Sequence, residues 1–126
     1  MSIVGTGVDL AEVDRIRKVI EQHGDRFLTR VFTPAERAYV DGRKNLYERY
    51  AARFAAKEAA MKAMGTGWKR GVTWQDFEVV NLPSGKPTLR LSGKAAEIAA
   101  GIGVKSVSLS LSHTGSLAIA QVILEG

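Results

Sequence analysis

The sequence predicts an α+β fold, with a long central helix packed on a mainly antiparallel sheet in one domain spanning residues 1–126. Three observations predict it. Apolar residues recur at helical spacing through most of the first 64 positions. From residue 76 the pattern shifts to short alternating runs separated by turn signals. The last two runs, "SVSLSLS" and "LAIAQVIL", flank "HTG" and read as a hairpin. Helices come early and sheet mostly late, which is the α+β arrangement.

Residues 3–10, "IVGTGVDL", read as a strand with Val4, Val8 and Leu10 on one face and Asp9 on the other, near its end. In "AEVDRIRKVIEQHG", Val13, Ile16, Val19 and Ile20 share a helical face, and Gly24 is the stop. "DRFLTRVF" is a short helical piece. "TPAERAYV" opens a helix, with Thr33 as N-cap, Pro34 in the first turn and Glu36 closing a capping box. The long helix runs from Leu46 to Met64, with Gly65 as a left-handed cap. "DFEVVNL" and "PTLRL" are strands joined by the turn "PSGK". "SGKAAEIAAG" is a short helix capped by Ser92 and ended by Gly101. In the hairpin, Val107, Leu109 and Leu111 alternate with serines on the first arm, and His113, Thr114 and Gly115 form the turn. The second arm, Leu117 to Leu124, is apolar on both faces apart from Gln121, so it is expected to be an interior strand. The serine-lined face is narrow enough to pack on a helix or on another copy of the chain.

Bulk properties narrow the function. A chain of 126 residues can bury about two-thirds of its unfolded surface, so a core needs no covalent staples. Without cysteine there is no disulfide, thiolate metal site or Cys nucleophile. No apolar run approaches the roughly 20 residues of a membrane helix. "MSIVGTGVDL" lacks the basic start and apolar core of a signal peptide, so the expected location is cytoplasmic and no membrane partner is expected. The 18 basic and 13 acidic residues leave a net charge of +5, which suits an acidic partner or a phosphorylated small molecule. "GTGVD" and "GTGWK" do not match a P-loop, and no nucleophile elbow is present, so a nucleoside triphosphatase and a hydrolase triad are rejected.

One residue of the long helix is out of place. On a wheel of about 100° per residue, Tyr47, Ala51, Phe54 and Met61 fall within roughly 40° of one direction. Glu58 lies in the centre of that arc, Lys62 at its edge, and Arg49, Ala52, Ala56 and Ala60 opposite. A carboxylate facing a core needs a partner. Lys62, one turn away, is one candidate. The other is a hard cation such as Mg²⁺, which takes one or two carboxylates and completes its shell with water and phosphate oxygens. Asp9 is then the second carboxylate, or else an N-cap for the helix starting near Ala11. His113 either binds phosphate or serves its turn, and "PSGKP" either holds an anion or merely turns.

Four stretches in order resemble one family: "GTGVDLAEVDRI" at 5–16, "RFAAKEAAMKAMGTG" at 53–67, "SGKP" at 84–87 and "SLSHTGSLAIAQVI" at 110–123, with "RVFTPAERAY" at 30–39 as a further match. The chain resembles the holo-acyl-carrier-protein synthases, the short-chain class of 4'-phosphopantetheinyl transferases. Two departures are small: "NLPS" precedes "GKP" where Asn-Asp is common, and Leu117 replaces a common aromatic. The resemblance implies the 4'-phosphopantetheinyl transferase fold. It also implies Mg²⁺-dependent transfer of the phosphopantetheine arm from coenzyme A to a serine of apo-acyl carrier protein, for fatty acid biosynthesis. It places Mg²⁺ on Asp9 and Glu58, and makes Glu58 and Lys62 catalytic. It puts Arg53, Lys62, Ser84, Gly85, Lys86, Pro87, His113 and Thr114 against the coenzyme. It further implies a homotrimer with active sites between subunits. Acyl carrier proteins are acidic, and Arg15, Arg17 and Lys18, with Arg26 and Arg30 behind them, would steer one. The same basic helix could serve a nucleic-acid-binding module, but no such signature is present, so no nucleic acid is expected. A non-catalytic assembly protein is the other rival.

Overall fold

A computed structural model describes residues 1–67 and 69–126. Strand β1 (Ile3–Glu12) leads into helices α1 (Val13–His23), α2 (Asp25–Val31), α3 (Pro34–Asp41) and α4 (Leu46–Met64). A 3-10 turn (Trp74–Asp76) precedes the antiparallel pair β2 (Phe77–Asn81) and β3 (Pro87–Leu91). Helix α5 (Gly93–Gly101) and the hairpin β4 (Ser106–His113) and β5 (Leu117–Glu125) complete the chain. The main sheet is antiparallel in the order β1-β5-β4, so β5 is interior as expected. Helix α4 lies across this sheet, chiefly on β1 and β5.

The close seat of α4 on β1 comes from glycine. The inward positions of β1 are Gly5, Gly7, Asp9 and Ala11, not the larger apolar residues. A Cβ on Gly5 would stand 2.0 Å from the Ala63 carbonyl oxygen, and one on Gly7 would stand 1.9 Å from that of Ala59. Only bare backbone fits there, and alanines on the helix complete the contact. Asp9 is the next inward position, about 6.6 Å further along the strand, and this register delivers its carboxylate to α4. Val8 and Leu10 point outward with Leu117 and Ile119 of β5; the four are 54, 62, 44 and 40 % exposed. Leu10 pairs directly with Ile119.

Helix α4 is buried almost all round, which overturns the reading of its wheel. Ala52, Ala56, Ala59, Ala60 and Ala63 are all buried, so the alanine side is packed. Ala51 and Met61 are buried too, but Tyr47, Phe54 and Glu58 are only half-buried and Lys62 is exposed. Glu58 therefore stands on the helix's most accessible stripe, not in the middle of a core-facing one. Small side chains carry little hydrophobicity on a wheel, yet they permit the closest packing.

About a quarter turn around the helix from that stripe lies a wholly buried ion pair. The Lys57 ammonium donates to Glu36 Oε1 at 2.7 Å and to the carbonyls of Phe77 at 2.7 Å and Trp74 at 3.2 Å. Burial pushes the Lys57 pKa down, against the pull of Glu36. Glu36 closes the expected capping box by accepting from Thr33 N–H, and its Oε2 accepts from Val79 N–H at 2.9 Å. One carboxylate thus joins α3, α4 and β2.

Two predicted caps differ. Residues 11 and 12 extend β1, so α1 starts at Val13 and Asp9 is not its cap. Helix α5 is capped by Asp76, whose Oδ2 accepts from Ala95 N–H at 3.3 Å; the Ser92 hydroxyl makes no capping bond. Gly65 ends α4 in the left-handed conformation (φ 74°) as expected.

Candidate active site

Asp9, Glu58 and Lys62 come together where β1 passes α4. Lys62 Nζ donates to Asp9 Oδ1 at 2.7 Å and to the Val8 carbonyl at 3.3 Å. That contact raises the Lys62 pKa above the usual lysine range. The Glu58 side chain makes no hydrogen bond or ion pair among the described residues, so of its two candidate partners the i,i+4 lysine Lys62 is not engaged. Burial raises the Glu58 pKa, the Asp9 charge adds to the rise, and Lys62 opposes it. Two carboxylates of unequal environment thus stand together, and the ammonium is bonded to Asp9 alone. A cleft of about 290 Å³ opens beside them, lined by Leu10, Ile16, Val19, Phe27 and Phe54, with Arg15 also on its wall.

Arg53 belongs to a second cluster. It lies five residues before Glu58, about 140° away around the helix. It is buried, and burial pushes its pKa down. Its Nη2 donates to Asn81 Oδ1 at 2.9 Å, and Asn81 Nδ2 donates to the Gly85 carbonyl at 3.1 Å. Arg53 and Arg43 both stack on Tyr39, at 4.7 and 3.9 Å from the ring centre. Arg53 Nε is buried without a hydrogen-bond partner among the described residues. Through Asn81 this cluster supports the turn Ser84–Pro87, where Gly85 takes φ 90°. Ser84 and Lys86 are exposed, and the Lys86 N–H donates weakly to the Ser84 hydroxyl at 3.4 Å.

His113 is the last residue of β4, paired with Ala118, not part of the turn. Its Nδ1 lies 2.9 Å from Glu48 Oε2 in the first turn of α4. Thr114 does serve the turn: its hydroxyl accepts from Ser116 and Leu117 N–H groups. Glu48 lies about 15 Å along the helix axis from Glu58. His113 lies two strands from β1, about 10 Å across the sheet. One chain therefore carries three separate groups: the two carboxylates with Lys62, the Arg53 cluster with the Ser84–Pro87 turn, and His113 with Glu48.

The basic helix is less free than its composition suggests. Arg17 and Lys18 both pair with Asp14. Arg15 is held only loosely by Glu12, at 3.9 Å, and its side chain is 81 % exposed. Arg26 is exposed on α2. Sequence reasoning missed Asn81 and Tyr39, the partners of Arg53, the second arginine Arg43 on the same ring, and the buried roles of Lys57 and Glu36. The one local signal for Lys57 was a lysine set among alanines.

Residues 5–122 match the family model described as the 4'-phosphopantetheinyl transferase superfamily. A protein of Solibacter usitatus named holo-acyl-carrier-protein synthase is 64% identical over 123 residues, covering 98% of each chain. The chain belongs to the holo-acyl-carrier-protein synthase family of this superfamily. Solved structures agree. The holo-acyl-carrier-protein synthase of Neisseria meningitidis superposes with a TM-score of 0.91 at 30% identity, over 99% of this chain and 100% of that one. The Bacillus anthracis enzyme, solved in complex with CoA (3',5'-ADP), is 41% identical with a TM-score of 0.79, over 97% of this chain and 96% of that one. The α+β fold and the assignment as an enzyme of this family rest on these matches together.

Proposed function

We propose that this enzyme transfers 4'-phosphopantetheine from coenzyme A to a serine hydroxyl of apo-acyl carrier protein, with Mg²⁺ held by Asp9 and Glu58. The observation that carries the reading is the pair of carboxylates, Asp9 fixed by strand register and Glu58 without a side-chain partner among the described residues, with Glu58 on the wall of a cleft. Their chemistry fits Mg²⁺: both are hard oxygen donors, and two are enough when phosphate oxygens and water complete the shell. The bound ion would supply charge neutralisation at the pyrophosphate. The rest is done by the chain. Lys62 sits on a flexible stem one turn from Glu58 and can reach a phosphate oxygen, stabilising charge that grows on the transferring and leaving groups. The serine oxygen bonds to phosphorus as it loses its proton, the bridging bond breaks, and adenosine 3',5'-bisphosphate leaves. Such a displacement needs positioning and charge stabilisation more than covalent help.

Arg53, the Ser84–Pro87 turn, His113 and Thr114 are assigned to the coenzyme's phosphates and adenine. Their separation from Asp9 and Glu58 within one chain supports a site completed by a second subunit. The outward patch of Val8, Leu10, Leu117 and Ile119 supports a homotrimer built on that sheet face, since contiguous exposed apolar surface marks an interface. Arg15, beside the cleft, is assigned with Arg17 and Arg26 to the acidic carrier, which is favoured over nucleic acid as the partner of this basic surface. A cytoplasmic location and a place in fatty acid biosynthesis belong to the same proposal. No described helix is long and apolar enough to cross a membrane. Chromatography of a reaction with apo-carrier, coenzyme A and Mg²⁺ tests the reaction. Adenosine 3',5'-bisphosphate should appear in step with holo-carrier, and its absence would defeat the assignment.

A further inference from the structure

We propose that Lys62 occupies the cation position at Asp9 until the divalent ion arrives, so that metal loading displaces it and the coenzyme's phosphates then hold it. The inference rests on the metal assignment above and adds an order and a coupling to it. Lys62 is Asp9's counter-ion, not Glu58's. It spans from α4 to β1 and places two of its three N–H groups there, on Asp9 Oδ1 at 2.7 Å and the Val8 carbonyl at 3.3 Å. Glu58, one turn before it on the same stripe, receives none of them.

The two partners differ in freedom. The Asp9 side chain is 13 % exposed, fixed on the inward face of β1, whereas the Lys62 side chain is 54 % exposed. The carboxylate is a fixed floor, and the ammonium reaches it from solvent on a stem of four methylenes that can swing away. A divalent ion held by Asp9 and Glu58 would compete with an ammonium left on Asp9 for the same carboxylate. Like charges in close contact repel strongly even in a half-wet site. Metal and Lys62 therefore exclude each other at Asp9. The freed ammonium stays tethered to α4 one turn from Glu58, which lines the cleft, so an incoming phosphate is its next partner. A coenzyme that binds Lys62 away from Asp9 favours the metal, and by linkage the metal favours the coenzyme equally.

The test is Mn²⁺ binding without coenzyme, measured by calorimetry and by the electron paramagnetic resonance of free Mn²⁺. A partly exposed ion pair competes modestly, so Lys62→Met should bind Mn²⁺ about two- to five-fold more tightly than wild type. Lys62→Arg, which keeps a charge on Asp9, should not. Saturating coenzyme A should tighten Mn²⁺ binding less in Lys62→Met than in wild type. Unchanged or weaker binding by Lys62→Met, with Asp9→Asn still lowering affinity, would overturn this inference and leave the metal site standing. Wild type that fails to bind Mn²⁺, or Asp9→Asn that binds like wild type, would overturn the metal site and this inference with it.

Discussion

Lys57→Met keeps the length of the side chain and removes its charge at a position that is wholly buried. Three hydrogen bonds are lost at once: to Glu36, to the Phe77 carbonyl and to the Trp74 carbonyl. Glu36 stays 1 % exposed, with its two backbone N–H donors but no cation. Breaking a buried pair in this way costs about 3–5 kcal/mol, because the remaining charge is uncompensated. Domains of this size are stable by only about 5–15 kcal/mol, so Lys57→Met should lower the melting temperature by roughly 10–20 °C. Thermal unfolding followed by circular dichroism, with chemical denaturation beside it, measures the change. Adding Glu36→Gln removes the stranded charge and keeps one acceptor oxygen, which can serve the Thr33 N–H or the Val79 N–H but not both. The double variant should therefore be more stable than Lys57→Met alone. A melting temperature within about 3 °C of wild type for Lys57→Met, or a double variant that simply sums the two losses, would refute this account of the pair.

Glu58→Gln should lower turnover at least about 100-fold, since it removes a proposed metal ligand, and even the outer neighbours of metal ligands are commonly worth 10–100-fold. The same variant carries a stability signature in the absence of metal. A carboxyl whose folded pKa is raised contributes stability below its unfolded pKa that is lost as pH rises through the folded one. Wild type and Glu58→Gln should thus melt alike near pH 4, and the variant should be the more stable at pH 7; the reverse order would contradict the environment assigned to Glu58. Gly7→Ala should cost about 3 kcal/mol or more, because its Cβ would meet the Ala59 carbonyl at 1.9 Å. It should also weaken Mn²⁺ binding by shifting Asp9, and a fully stable, fully metal-competent variant would remove the glycine seat from the account. Arg15→Glu should raise the Michaelis constant for the carrier while leaving that for coenzyme A unchanged. The penalty should shrink with salt as screening shortens electrostatic reach to about 10 Å at 0.1 M. An effect on the carrier that is absent or insensitive to salt would take Arg15 off the docking surface.

Features set by nearby residues were legible in the sequence. The Thr33–Glu36 capping box, the Gly65 cap and the β4–β5 hairpin depend on neighbours within a few positions, and the interior place of β5, though set by β1 at the far end of the chain, showed in its own apolar pattern. Features set by distant packing were not. Asp76 caps a helix that begins 17 residues after it, in place of the adjacent Ser92. Glu36 was legible as a cap but not as the partner of Lys57, 21 residues away. The inward face of β1 was hidden because glycine, with no side chain to bury, is what lets strand and helix backbones touch. The α4 wheel failed for a related reason: alanines carried the close packing, so the stripe with the largest apolar residues was the accessible one. Glu58 drew notice through a mistaken premise, yet its surroundings do make it unusual, since it is half-buried, unpartnered among the described residues and beside Asp9. The site residues named from the resemblance fall into three groups in one chain, and no reading of single positions could show which of them meet.

Intact-mass measurement of apo-acyl carrier protein tests the central claim most directly. The carrier is incubated with coenzyme A and this enzyme, in Mg²⁺ and separately in excess chelator, with Asp9→Asn and Glu58→Gln run in parallel. The account predicts that wild type with Mg²⁺ converts the carrier to a species heavier by one phosphopantetheine, and that chelator or either substitution leaves it at its apo mass. Conversion that persists in chelator, or at an undiminished rate in both variants, would contradict the claim that these two carboxylates hold the ion on which transfer depends.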